Sequence, residues 1–179
     1  MVTAQSLLNR ELPAQDLIGP KVYLLADLLQ KKGWLLATAE SCTGGMIAAA
    51  CTDLAGSSNW FERGFVTYSN QAKTDMLGVE AALIEQHGAV SEAVARAMAA
   101  GALGRSKAQV AVAVTGVAGP TGGTRSKPVG TVWFGFARPG SADPLTSEVC
   151  RFEGDRAAVR AATVQHALKQ LVTLLQQKP

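Results

Sequence analysis

A chain of 179 residues in which 47% of side chains are hydrophobic and 17% charged has the composition of one folded domain, not of a disordered or low-complexity segment. Its net charge of +3 comes from scattered Lys and Arg residues, which suits a small anionic ligand and is too weak and dispersed for a duplex-DNA binder. Three cysteines without a CxxC pair exclude a disulfide framework and a cysteine-rich zinc site, and point to reduced thiols in the cytosol. No run of ~18 apolar residues predicts a membrane span, and the N-terminus lacks the pattern of a secretory leader.

Residues 1–19 include Pro13, end just before Pro20 and show no sustained periodicity, so they are expected to form an arm ahead of a single domain over residues 20–176. Val22, Leu25 and Leu29 recur at helical spacing, and Lys31-Lys32-Gly33 is a stop signal, so a first helix is expected from about Lys21. The apolar run 34–39 predicts a short buried strand. It breaks at Glu40-Ser41-Cys42-Thr43-Gly44-Gly45, after which Met46, Ile47, Ala50, Cys51 and Leu54 mark one helix face. Residues 64–68 form a second strand signal, ending in Ser69-Asn70, where a cap and a short helix through Leu77 are expected. Ser91 and Glu92 open another helix that stops at Gly104, and the continuously apolar run 110–114 reads as a central strand covered on both faces. A glycine-rich loop over 117–127 precedes strand signals at 129–137 and 145–152, expected to pair as a hairpin around Pro139-Gly140. Gly154-Asp155 opens a C-terminal helix with Val164, Ala167, Leu168, Leu171 and Leu175 on its apolar face. Helices alternating with strands early and a hairpin late predict an α/β fold, a three-layer α/β/α arrangement with a mixed sheet.

Ligands bind at strand ends in α/β sheets, and the turn 40–45 lies at one. The helix that follows aims backbone N–H groups and a partial positive charge at whatever lies there, while Gly44 and Gly45 permit close backbone approach. Ser41 is thereby placed to attack a carbonyl whose oxyanion those donors hold, although Ser41 or Thr43 also fits a plain helix cap. Cys42 competes as a nucleophile but reads as apolar packing. The two histidines, His87 in an expected loop and His166 on an expected helix, have nothing triad-like around them. A neutral lysine can serve as base and a tyrosine can relay the proton, and residues 67–73 offer Tyr68 and Lys73; periodicity alone equally fits a surface lysine and a half-buried strand tyrosine. The segment from Thr115-Gly116 onward could wrap a ligand but lacks the Gly-Lys-Ser/Thr of a P-loop. Arg156 and Arg160, four apart at a helix start, can meet one phosphate together or serve as ordinary surface charge.

Several of these segments, in order, resemble the CinA C-terminal domain family, the nicotinamide-mononucleotide deamidases also called PncC amidohydrolases. The resemblance covers residues 22–174. Its carriers are Thr38-Ala39-Glu40-Ser41-Cys42-Thr43-Gly44-Gly45, Tyr68-Ser69-Asn70-Gln71-Ala72-Lys73, His87-Gly88-Ala89-Val90-Ser91, Ala113-Val114-Thr115-Gly116-Val117-Ala118-Gly119-Pro120, Lys127-Pro128-Val129-Gly130-Thr131-Val132 and Gly154-Asp155-Arg156. Val117, Gln71 and Thr121 depart from the usual pattern without removing a group the chemistry needs. The resemblance implies hydrolysis of the carboxamide of nicotinamide mononucleotide to nicotinate mononucleotide and ammonia, by a stand-alone domain with no metal or organic cofactor and no nucleic-acid or membrane partner. Position by position it implies Ser41 as nucleophile, activated by Lys73 and Tyr68. Thr43, Gly44 and Gly45 would frame the reacting carbonyl, Asn70, Thr115 and Gly116 would contact substrate, and Arg156 with Arg160 would hold the phosphate. Small cytosolic enzymes of this type commonly form two-fold dimers, so a homodimer or higher homo-oligomer is expected. Two alternatives belong to other classes: a nucleotide-binding module without turnover, and a DNA-associated competence factor, against which the scattered basic residues speak.

Overall fold

The computed structural model describes residues 18–139 and 143–177, so most of the expected N-terminal arm and the tip of the expected hairpin lie outside the described residues. Helix α1 spans Ile18–Lys32, starting a little before the expected point, with Pro20 in its first turn, where a missing N–H costs nothing. Strand β1 (Leu36–Glu40) leads through the glycine turn into α2 (Met46–Thr52), and a short 3-10 turn (Ser57–Asn59) leads into β2 (Phe61–Val66). Then come α3 (Asn70–Leu77), α4 (Ala81–His87), α5 (Glu92–Gly104), β3 (Val110–Gly116), β4 (Thr131–Ala137), β5 (Leu145–Arg151) and α6 (Arg156–Gln176).

The sheet order is β2-β1-β3-β4-β5. The first three strands are mutually parallel, β4 runs antiparallel to β3, and β5 pairs antiparallel with β4, which is the expected late hairpin. Alternation along the strands divides the core into two. Leu36, Val110, Val112 and Val114 face Leu25 and Leu29 of α1, Ile47 of α2, and Leu168 and Leu171 of α6. Ala37, Ala39, Ala111, Ala113 and Ala137 face Leu77, Ile84, Val94 and Met98 on the other side. The sheet is thus buried on both faces, as three layers require.

The second face is made of small residues, and this lets α5 lie close to the sheet. A Cβ placed on Gly135 of β4 would sit 2.3 Å from the Ala95 carbonyl oxygen of α5, and one on Gly101 would sit 2.1 Å from the Leu77 carbonyl oxygen. The alanine content of α5 therefore serves close packing as well as helix propensity.

Expected caps are in place: Ser69 accepts from Ala72 N at 3.0 Å, Ser91 from Val94 N at 3.4 Å, and Asp155 from Ala158 N at 2.8 Å. Helix α4 is the element that sequence reasoning missed, and it moves His87 from a loop to a helix end. It is one turn longer than a turn signal, buries only Ile84 and has no side-chain cap from Glu80, so it carries little helical signature. Strand β2 also lies earlier than expected, ending at Val66, which leaves Tyr68 beyond the strand. Among the described residues no helix is long and apolar enough to cross a membrane.

The close approach of α5 gives a direct test of the packing. Gly135→Ala meets backbone, not a flexible side chain, and is expected to lower stability by about 2 kcal/mol or more, measured as a shift in urea midpoint without a change in slope.

Candidate active site

The parallel strands β2, β1 and β3 end level with one another, Glu40 pairing with Val66 on one side and with Val114 on the other. Both ladders continue one residue past the strand: Ser41 N donates to Val114 O at 3.1 Å and Thr67 N donates to Glu40 O at 2.8 Å. Backbone bonding thus fixes Ser41 and Thr67 beside each other at the carboxyl edge of the sheet, where ligands bind in folds of this kind.

Lys73 comes to the same place from the first turn of α3. Its ε-amino group lies 3.1 Å from Ser41 Oγ and donates to the Thr67 carbonyl at 2.9 Å and, more distantly, to the Tyr68 carbonyl at 3.4 Å. Lys73 is 1% exposed and Ser41 9%. Among the described residues no carboxylate forms an ion pair with Lys73. Burial without a counter-charge disfavours the ammonium, and the Lys73 pKa is accordingly held below its ordinary 10.5, chiefly by desolvation. The donor count has a consequence. A neutral amine has two N–H groups, which the two carbonyls take, leaving its lone pair to accept the Ser41 hydroxyl proton.

The turn that carries Ser41 is organised by a residue that the sequence reading did not single out. Glu40 is fully buried, and its carboxylate accepts from Thr43 Oγ1 at 2.7 Å, from the backbone N–H groups of Gly45, Ile47 and Ala48 at 3.0, 3.0 and 2.8 Å, and from Thr38 Oγ1 at 3.3 Å. A carboxylate at a helix N-terminus satisfies its free donors and its partial positive charge together. The expectation that these helix donors face a substrate oxyanion is therefore corrected: those of α2 face Glu40. Among the turn residues, Gly44 N donates to Ser41 O and the Cys42 N–H faces its own thiol, while among the described residues no backbone carbonyl accepts from Thr43 N. An acid closing an apolar strand just before Thr-Gly-Gly was the available signal.

The remaining expected residues fall into two groups. Gly44 and Gly45 both take positive φ, +60° and +97°, so the turn requires residues without a Cβ. Arg160 reaches across from α6 and donates to Cys42 O at 3.1 Å and Thr43 O at 2.9 Å, so it braces the turn. Thr115 donates to Ala89 O at 2.8 Å and ties β3 to the segment before α5, and Gly116 abuts Thr131 and Val132. Asn70 opens α3 and is exposed. Tyr68 is 61% exposed; its hydroxyl accepts from Arg156, at 3.0 Å, and no bond joins it to Ser41. Arg156 also donates to Gly119 O at 3.0 Å. Arg156 and Arg160 line a cavity of about 650 Å³ together with Ala118, Pro120, Val129 and Asp155. Neither Ser41 nor Lys73 lines this cavity, but Arg160 spans the interval between it and the nucleophile turn.

Cys42 is not available as a thiolate. Burial pushes its pKa up to about 11, so it stays protonated near neutrality, as expected for a packing residue.

Glu40 yields a prediction. Glu40→Gln puts an amide donor against donors at a fully buried position and is expected to cost about 2 kcal/mol or more of stability in urea denaturation. It should also loosen the turn that carries Ser41, seen as a fall in turnover larger than any change in apparent substrate affinity.

Comparison with known proteins gives one answer throughout. The model of the CinA C-terminal domain matches residues 21–175. The chain is 54% identical over 147 residues to the nicotinamide-nucleotide amidohydrolase PncC of Escherichia coli (strain K12), covering 82% of this chain and 88% of that protein, and 55% identical over 149 residues to the protein of the same name from Enterobacter agglomerans, covering 83% and 88%. Among solved structures, the competence/damage inducible protein CihA from Agrobacterium tumefaciens superposes with a TM-score of 0.82 at 44% identity, covering 92% of this chain and 96% of that one. A CinA superfamily protein from Escherichia coli gives 0.84 at 39% identity, covering 92% and 94%. This chain belongs to the CinA C-terminal domain family.

Proposed function

We propose that this chain hydrolyses the carboxamide of nicotinamide mononucleotide to nicotinate mononucleotide and ammonia, with Ser41 as the nucleophile and Lys73 as its base. The observation that carries the reading is the buried, counter-ion-free contact between Lys73 Nζ and Ser41 Oγ. The names of the Escherichia coli and Enterobacter relatives support the substrate, and the reaction they perform is the one the dyad suits.

In this reading Lys73 takes the Ser41 proton as Oγ attacks the carboxamide carbon, and the carbonyl becomes an oxyanion. The Thr43 N–H, which meets no backbone carbonyl among the described residues, is the turn donor assigned to that charge. The proton on Lys73 passes to the departing nitrogen, which leaves as ammonia, and an ester to Ser41 remains. Water, deprotonated by Lys73 in turn, attacks the ester; as the ester C–O bond breaks Lys73 returns that proton to Ser41 Oγ, and the freed acid loses its proton to solvent as the carboxylate product. Thr43, Gly44 and Gly45 frame the reacting carbonyl through the shape of the turn, and Asn70, Thr115 and Gly116 border the substrate. Arg156 binds the phosphate, its guanidinium at the cavity wall and on the Tyr68 hydroxyl. Arg160 contributes by holding the turn, and Tyr68 by its carbonyl on Lys73 and its hydroxyl on Arg156. No group of the reaction calls for a metal or an organic cofactor. A cytosolic, homo-oligomeric enzyme fits this reading, with Cys42, Cys51 and Cys150 as free thiols.

Ammonia release from nicotinamide mononucleotide is the test. Ser41→Ala and Lys73→Met are each expected to lower kcat by about 10² or more with the fold retained, and Arg156→Ala to raise KM with a smaller effect on kcat. Normal turnover in Ser41→Ala contradicts the reading.

The pH dependence has a defined sign. A base that must be neutral makes kcat rise with pH through the depressed Lys73 pKa, reaching a plateau below 10.5. Between that pKa and 10.5 the unfolded chain binds more protons than the folded one, so stability rises with pH. Relative to Lys73→Met, the wild type is expected to gain stability as pH is raised across this window, measured by denaturation at several pH values.

A further inference from the structure

At the sheet edge opposite β2, three side chains of different chemistry converge away from the serine site. Glu148 and Cys150 stand two apart on β5, so they share the face turned toward α6, while Val149 between them is exposed. His166 of α6 meets them. Its Nε2 lies 2.7 Å from Glu148 Oε1 and 3.4 Å from Cys150 Sγ, and the Gln170 amide lies 3.5 Å from that same nitrogen and 3.4 Å from Glu148 Oε2. The ring is held by Phe134 and Phe152, with centroids 4.7 and 5.9 Å away.

The arrangement is not a nucleophile–base–acid relay. Such a relay needs the thiol on one imidazole nitrogen and the carboxylate on the other, whereas here both face Nε2. One nitrogen carries one proton or one lone pair, so it cannot satisfy thiol, carboxylate and amide together. A single cation between them can, because thiolate, carboxylate and imidazole all present lone pairs to a common point. The three donor atoms lie within 4.8 Å of one another. Tetrahedral bonds of about 2.0–2.3 Å put ligand atoms roughly 3.3–3.6 Å apart. The sulfur–nitrogen separation of 3.4 Å already fits, the carboxylate oxygen has to withdraw from Nε2 by about 0.6 Å, and its separation from the sulfur, within 4.8 Å, closes to the tetrahedral value on binding.

We propose that Glu148, Cys150 and His166 form a binding site for one zinc-class divalent cation, with the Gln170 amide oxygen as the fourth ligand. On binding, Cys150 gives its proton to solvent, Glu148 binds as carboxylate, and His166 binds through Nε2 with its proton on Nδ1. One thiolate and one carboxylate neutralise the 2+ charge. Gln170 needs only a half-turn of its terminal amide, which exchanges the oxygen and nitrogen. The donor set of sulfur, imidazole nitrogen and a carboxylate oxygen selects zinc over magnesium or calcium, which take oxygen ligands. A cavity of about 230 Å³ lined by Glu148, Gln170, Thr146 and Thr173 is the entry path. The site lies about 15 Å along α6 from Arg156, so the cation clamps β5 to α6 and takes no part in the amide chemistry.

The test does not depend on the amidase reading. The metal-stripped full chain is titrated with Co2+ and then Zn2+. The expected result is saturable uptake of one Co2+ per chain with a thiolate-to-cobalt charge-transfer band, displaced by Zn2+, and a Zn2+-dependent rise in Tm of about 5 °C at hundredfold excess over Kd. Cys150→Ser is expected to abolish the band, and Glu148→Gln, which keeps the shape of the side chain, to weaken binding about tenfold or more. No uptake, uptake without the charge-transfer band, or a band that survives in Cys150→Ser overturns the proposal.

Discussion

Lys73 is a lysine that folding has withdrawn from water and, among the described residues, from any counter-charge. Its aliphatic stem packs into the seam between α3 and the sheet edge, and its amine reaches only two backbone carbonyls and the Ser41 hydroxyl. An isolated ammonium in that place is unfavourable, so the amine tends toward its neutral form, the form with a lone pair to offer. The surrounding structure can be read as what makes this tolerable. The Ser69 cap fixes the start of α3, the ladder from Glu40 O to Thr67 N fixes the carbonyl that receives the amine, and the ladder from Ser41 N to Val114 O fixes the hydroxyl.

A second constraint lies one residue before the serine. Glu40 closes β1 and opens α2 with the same carboxylate, so strand, turn and helix are joined at a buried point and Ser41 is carried on a rigid elbow. Arg160 closes the outer side of the same turn through two carbonyls. Acid inside and guanidinium outside hold the turn from both sides, so the α2 donors that Glu40 takes are structural. Preorganisation of this kind reduces what must move when charge appears.

Much of this was legible in the sequence because it is local. The apolar run before Glu40, the two glycines, the Ser69 and Ser91 caps and the unbroken apolar strand 110–114 each act within a few residues, and each lies where it was expected. What was not legible is set by distance or by weak signal. Arg156 meets Tyr68 across 88 residues of chain and Arg160 meets Cys42 across 118, and neither pairing has any trace in local spacing. Helix α4 is too short and too shallowly buried to leave a period. The role of Glu40 was hidden because an acid at a strand end ordinarily reads as the start of a loop, and only the fold shows that all its acceptor positions are used. The convergence of Glu148, Cys150 and His166 likewise exists only once β5 lies against α6.

Membership in the CinA C-terminal domain family places these features in a fold shared with proteins named as nicotinamide-nucleotide amidohydrolases. The central claim is narrower and physical: that Lys73 is held as a neutral base beside Ser41. It is tested most directly by NMR of the chain with labelled lysine side chains, following the Lys73 ε-position through a pH titration and assigning it by its loss in Lys73→Met. The account predicts an ionisation below 10.5, the ordinary lysine value. An ionisation at 10.5 or above would contradict it.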